Sequence, residues 1–216
     1  NNVVMVADGL YRSVLAGGYE NFGTNGLTIT KTITIRGGYI GQISGATFDW
    51  TEANRVPTAS IIDLTGAGTR AFVLNTGSKQ PTIDGFTIRN GYVIGSGGAI
   101  VYGGGFGVGG RILNCVFSNN TATGQGGAVY INGNNNNNIA EITNCLFFAN
   151  QAAEGGAVHV NNYSKTYDFN DCVFLSNVAT GGGGGAVSVQ SSAYFTRCRF
   201  EGNSATAPAG AGGATY

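Results

Sequence analysis

Gly126-Gly127-Ala128-Val129-Tyr130-Ile131, then Asn144-Cys145-Leu146-Phe147 and Asn150-Gln151-Ala152, is one copy of a unit written four times between Gly97 and Gly213 and begun a fifth. The opening recurs at Gly97-Gly98-Ala99, Gly155-Gly156-Ala157, Gly184-Gly185-Ala186 and Gly212-Gly213-Ala214, so each copy is 28 or 29 residues long. Cysteine and phenylalanine two apart recur at Cys115/Phe117, Cys145/Phe147, Cys172/Phe174 and Cys198/Phe200. An Asn-x-Ala triplet closes each copy at Asn120, Asn150, Asn177 and Asn203. Self-similarity at this period is the signature of a solenoid and outranks any local propensity.

Within a copy the apolar residues alternate. After each alanine come Ile100-Val101-Tyr102, Val129-Tyr130-Ile131, Val158-His159-Val160 and Val187-Ser188-Val189, large and apolar at the first and third places. Ile112, Ile142, Phe169 and Phe195 each precede a cysteine by three residues, and a polar residue (Asn114, Asn144, Asp171, Arg197) sits directly before it. Period two with polar corners predicts three short strands per copy and no helix. No two-residue hairpin signal joins them, so each strand lies parallel to its counterpart one copy later, about 4.8 Å away. The expected fold is all-β, a single-stranded parallel β-helix of about six coils of three strands. Thirty-eight glycines and three prolines suit tight corners and unbroken ladders. The four asparagines stack in register, each bonding to the next rung, and Cys115, Cys145, Cys172 and Cys198 form one buried inward column, as thiols or, since a rung step lies within the Cα range of a disulfide, as bridges between neighbouring rungs.

Residues 97–216 are the regular part of a single domain, and 1–96 are irregular coils. Asn1 to Asp8 reads as a strand entering mid-fold, without the charged start of a signal peptide. Leu27 to Ile35 alternates around Lys31 and breaks there into two strands. Residues 40–60 do not repeat and read as an insertion folded back on the flank, with Asp49, Trp50, Glu52, Arg55 and Pro57. Ile61 to Ile88 supply a second coil. Asn134 to Asn138 reads as a mobile surface tip. Neither end carries a capping repeat, which points to a longer chain or to end rungs covered by other subunits.

These motifs resemble those of bacterial secreted right-handed parallel β-helix surface proteins, including polymorphic outer-membrane-protein-type repeats with paired GGA and FxxN motifs. The segments Val4-x-Val6-Ala7-Asp8-Gly9, Ile33 to Tyr39 and Ile83-Asp84-Gly85-Phe86 are similar as well. The resemblance implies a right-handed, pectate-lyase-like coil and a place outside the cell or on its surface. It does not choose among adhesins, structural proteins and carbohydrate enzymes built on the same coil.

A glycosidase needs two carboxylates across a cleft, and a lyase needs clustered carboxylates beside a base. The eleven acids fall mostly at corners and loops of different rungs. Asp171 reads as a corner-capping residue in the column of Asn114, Asn144 and Arg197. His159, the single histidine, reads as an exposed residue of the outward column of Val101, Tyr130 and Ser188. One cysteine per rung is not a metal-binding spacing, and no cofactor is expected. A net charge of zero without a basic stripe argues against nucleic acid. No run of eighteen apolar residues predicts membrane insertion.

Strict alternation turns Val116, Leu146, Phe148, Val173 and Leu175 outward, an apolar patch of the kind that marks an interface, unless a loop or the insertion covers it. The resulting expectation is a non-catalytic extracellular module for structure, adhesion or self-assembly, with itself or other surface proteins as partners. The alternative is a carbohydrate-active enzyme or polysaccharide-binding module using Tyr130, His159 and Tyr163.

Overall fold

A computed structural model describes residues 2–12, 25–39, 52, 55–75, 80–103, 110–133, 140–161, 166–206 and 212–215. The first coil contains β1 (Asn2–Ala7), β2 (Gly9–Arg12) and β3 (Leu27–Ile29). The second contains β4 (Ile33–Tyr39), β5 (Ser60–Asp63) and β6 (Phe72–Leu74). From the third onward a coil has four strands: β7 (Thr82–Asp84), β8 (Phe86–Arg89), β9 (Tyr92–Val93) and β10 (Ile100–Tyr102). The fourth coil repeats them as β11 (Gly110–Leu113), β12 (Val116–Ser118), β13 (Thr121–Ala122) and β14 (Val129–Asn132). The fifth gives β15 (Ala140–Thr143), β16 (Leu146–Phe148), β17 (Gln151–Glu154) and β18 (Val158–Asn161). The sixth gives β19 (Thr166–Asn170), β20 (Val173–Leu175), β21 (Val178–Gly182) and β22 (Val187–Val189). Last come β23 (Ser192–Thr196), β24 (Arg199–Glu201) and β25 (Ser204–Ala205).

Every one of these strands pairs in parallel with its counterpart one coil away, which makes the chain an all-β parallel solenoid. The first sheet (β1-β4-β7-β11-β15-β19-β23) and the second (β2-β5-β8-β12-β16-β20-β24) are seven strands deep. The third (β9-β13-β17-β21-β25) has five and the fourth (β3-β6-β10-β14-β18-β22) six, so the class is the one expected while the count of coils differs slightly from six. Two expectations change. Asn2–Ala7 pairs with β4 from Asn2↔Ile33 onward and opens a coil of its own, which Leu27–Ile29 closes, so the two strands on either side of Lys31 belong to successive coils. The Asn-x-Ala closure is itself a strand, so a regular coil has four strands, not three; its inward residues Val93, Ala122 and Ala152 form a small core of their own.

The main core is a set of ladders. Phe117, Phe147, Phe174 and Phe200 stack face to face at 5.0, 4.9 and 4.8 Å, with rings within 10° of parallel. The rung spacing of a parallel sheet is the contact distance of two aromatic rings, so register and ring packing reinforce each other. Ile83, Ile112, Ile142 and Phe169 make the matching column of the first sheet, all buried.

At the next corner the asparagines are buried and consume their whole bonding capacity along the rod. Asn150 Nδ2 donates to Phe117 O and to Asn177 Oδ1, both at 3.0 Å. Its Oδ1 accepts from the backbone N–H and from Nδ2 of Asn120, again at 3.0 Å. Asn120 and Asn177 repeat the pattern one rung to either side. The Gly-Gly-Ala turn packs so closely on its copy that a Cβ on Gly156 would lie 2.1 Å from Gly185 O. Only glycine permits that approach. The four cysteines occupy the expected column as free thiols, Cys115, Cys145 and Cys172 buried and Cys198 partly exposed.

The insertion at 40–60 is described only in its returning part, and Asp49, Trp50 and Asn134–Asn138 lie outside the described residues. No helix among the described residues is long and apolar enough to cross a membrane.

Candidate functional site

The corner between the first and second sheets turns in the left-handed region, at φ +53° for Asn114, Asn144 and Arg197 and +54° for Asp171. Asparagine and aspartate tolerate this conformation and glycine accepts it freely, as Gly85 does one rung earlier. Repetition stacks the corner side chains into a polar ridge. Asn144 Nδ2 donates to Asn114 Oδ1 at 2.8 Å, and Asn114 Nδ2 donates to Asp84 Oδ1 at 2.7 Å. Arg197 grips Asp171 through two bonds of 2.5 and 2.7 Å. Asp171 therefore does cap a corner, and the pairing with Arg197 holds its carboxyl below the usual range.

Asp84 ends this ridge and anchors the insertion. Its carboxylate, 4% exposed, accepts from Arg36 Nε at 2.9 Å and Arg55 Nη2 at 2.6 Å. Arg55 also donates to Gly37 O at 2.9 Å and lies 5.9 Å from the centre of the Tyr39 ring. Glu52 joins the cluster through Arg36 at 2.7 Å and the Tyr39 hydroxyl at 2.8 Å. A carboxylate this buried requires its cations, and removing either side would leave an uncompensated buried charge. Sequence reasoning missed the cluster, because its members are irregularly spaced and lie mostly in the non-repeating part.

The clamp at Arg55 fixes the path of residues 56–58. Val56 N–H donates to Gly38 O at 2.6 Å, Thr58 N–H to Gly85 O at 3.0 Å, and Thr87 Oγ1 to Thr58 O at 2.9 Å. Thr58 is held at φ +80°, a strained conformation for a β-branched residue. Pro57 and Thr58 thereby become a wall facing the corner ridge. Between wall and ridge lies a groove of about 320 Å³, floored by Val116, Leu146 and Val173 and flanked by Asn114, Asn144 and Asp171.

The predicted apolar residues thus divide. Val116, Leu146 and Val173 are half-buried on the groove floor. Phe148, 44% exposed, and half-buried Leu175 stand in the next outward column beside it.

One member of the expected ligand face, His159, differs from its reading. His159 points outward with Tyr130, their rings stacked at 5.8 Å, yet His159 is fully buried rather than exposed. The segments that precede the glycine pairs cover it: Glu154 Oε2 lies 3.8 Å from Nδ1, and Gly155 and Gly183 pack over the His159–Ser188 column. Neither ring nitrogen has a hydrogen-bond partner, and burial pushes the imidazole below its ordinary pKa, partly opposed by Glu154. A covered ring offers no platform to a sugar. Tyr163 lies outside the described residues.

Among the described residues, no three His, Cys, Asp or Glu side chains gather as metal ligands. The carboxylates among the described residues whose pKa is displaced, Glu52, Asp63, Glu141 and Asp171, are all lowered. Hydrogen bonds to arginine, tyrosine, threonine or asparagine hold them ionised. A general acid of glycoside cleavage requires the opposite displacement.

Residues 114–132 match the model of the Chlamydia polymorphic membrane protein repeat. This stretch is similar to a repeat of the polymorphic membrane protein type. The matched stretch runs from the corner at Asn114 through β12, β13 and the Gly-Gly-Ala turn to the end of β14. The same succession returns at 144–161 and 171–189 in register with it. The repeated unit is therefore the one that builds the ridge and floor of the groove. No curated protein and no solved structure matches the chain.

Proposed function

We propose that this chain is a non-catalytic, extracellular surface module, a rigid rod that acts through what its side face binds, in adhesion or in self-assembly. One observation carries the reading: the residues the repeat reiterates are used up inside the rod. The asparagines bond to one another, the cysteines and phenylalanines are stacked inward, and the corner residues bond along the ridge. Repetition that serves construction leaves a long stiff body, and the outward positions are then free to vary. The matched repeat belongs to a membrane-protein family, which supports a cell-surface location.

The groove over Leu146 is the binding face in this reading, because it combines an apolar floor with polar walls. The test is incubation of the purified chain with a panel of acidic and neutral polysaccharides, followed by assay of reducing ends and of unsaturated products. No release is expected from any of them. Release that tracks the chain through purification would overturn the reading.

A further inference from the structure

The outward face of the second sheet has two columns. The column over the groove runs Thr87, Val116, Leu146, Val173, Arg199, and the column beside it runs Arg89, Ser118, Phe148, Leu175, Glu201. Val116, Leu146 and Val173 of the first column are recessed between the Pro57–Thr58 wall and the corner ridge, while the second carries the protruding ring of Phe148. A recess and a ridge lie side by side on one surface, at the same rungs. At the final rung the side-by-side pair is a cation and an anion, Arg199 and Glu201, both well exposed and bonded to each other.

Such a face is complementary to itself under one operation. A twofold axis parallel to the rod, placed between the two columns, keeps each rung level and exchanges the columns. Phe148 of each copy then enters the groove over Leu146 of the other, Leu175 meets Val173, and Ser118 meets Val116. Arg199 of each copy meets Glu201 of the other, and Arg89 meets Thr87. We propose that this face joins two copies of the chain as parallel rods, each seating Phe148 in the groove of its neighbour. The contact is isologous, as closed pairs are.

Shape selects this arrangement over its alternative. Rods paired antiparallel, with Phe148 facing Phe148, would set Glu201 against Arg89, whose guanidinium already serves Asp63, but would leave the groove without a knob and Arg199 against Thr87. The five rungs span about 20 Å at 4.8 Å per step, so the interface belongs at the small end of specific contacts and the pair is reversible. The proposal rests on the reading of the groove as a binding face and adds its occupant.

Sedimentation equilibrium of the whole chain tests it, with circular dichroism confirming the fold of each variant. The wild type is expected to associate reversibly. Phe148→Glu and Leu146→Lys each put an unpaired charge into the closed contact and are expected to weaken association by about tenfold or more. Arg199→Glu and Glu201→Arg, both exposed and harmless to the core, are each expected to weaken it by setting like charges face to face. Their combination, Arg199→Glu with Glu201→Arg, is expected to restore it. In the antiparallel arrangement the same exchange would place the new cation at position 201 against Arg89 and would not restore anything.

A monomeric wild type, association indifferent to Phe148→Glu, or a double exchange that fails to rescue would each overturn the parallel pair. None of these results touches the non-catalytic reading, which the polysaccharide assay decides alone.

Discussion

Replacing Asn150 with alanine tests the claim that the asparagine ladder holds the coils together. The native amide satisfies four buried groups: the N–H and Nδ2 of Asn120, the carbonyl of Phe117 and Oδ1 of Asn177. Alanine keeps only the backbone N–H that donates to Asn177 Oδ1, and Asn120 Nδ2 keeps its bond to Ile88 O, so the N–H of Asn120 and the carbonyl of Phe117 lose a partner that nothing replaces. An unsatisfied buried polar group costs about 1–3 kcal/mol. The vacated space is polar and the size of an amide, so a water can recover part of the loss. Taking the low end for each of these two groups gives about 2 kcal/mol. Asn203→Ala is the internal control. It makes the same kinds of bond, to Phe174 O and from Asn177, but stands half-buried, where solvent replaces the amide, and about 1 kcal/mol is expected. Equilibrium urea unfolding followed by circular dichroism measures both, and the difference between them is more reliable than either value. Equal losses at positions 150 and 203, or a loss at Asn150 below about 1 kcal/mol, would mean that the ladder only accompanies the fold.

Other positions carry expectations of their own. Gly156→Ala places a Cβ 2.1 Å from Gly185 O and 2.6 Å from the Val178 backbone, and should cost about 3 kcal/mol or more in the same unfolding assay. Gly181→Ala, whose nearest neighbour would be 3.2 Å away, should stay within about 1 kcal/mol. Because burial depresses the pKa of His159 in the folded chain, the unfolded chain binds its proton first. Its contribution is therefore complete above the ordinary value of about 6.5 and is lost as pH falls below it. Thermal melts between pH 7 and 5 should show that slope in the wild type and lack it in His159→Phe, which keeps the stack on Tyr130 and removes two unpaired nitrogens; equal slopes would refute the assignment. With burial raising the Cys145 thiol and enclosing Cys115 and Cys172, an aromatic disulfide reagent should titrate Cys198 alone in the native chain. The other three should react only at the rate of unfolding, and fast modification of two or more thiols would contradict the buried column.

What could be read from the residues was whatever recurs. The spacing of Cys115, Cys145, Cys172 and Cys198 fixes a register, and the register fixes which side chains stack. The third sheet escaped because its strands are as short as Thr121–Ala122 and point only alanine or valine inward, too little apolar alternation to announce a strand. The parity of His159 was legible, since it lies between Val158 and Val160, but its burial was not. That depends on the preceding segments folding over the outer face, which alternation does not encode. The groove was half legible: its floor comes from period two, whereas its wall depends on Arg55 reaching Asp84 across 29 residues without any periodicity.

The stacked phenylalanines make the loss of a whole coil a conservative change. If Cys145 to Asp171 were excised, Asn144 would run directly into Cys172, Phe117 would lie on Phe174, and Asn120 would bond to Asn177. Every contact across the join would be of a kind already present elsewhere in the rod. The reach of the molecule can thus be shortened or extended in whole coils without redesigning its cross-section, while this particular excision would also take Leu146 and Phe148, so the side face depends on which coils are kept.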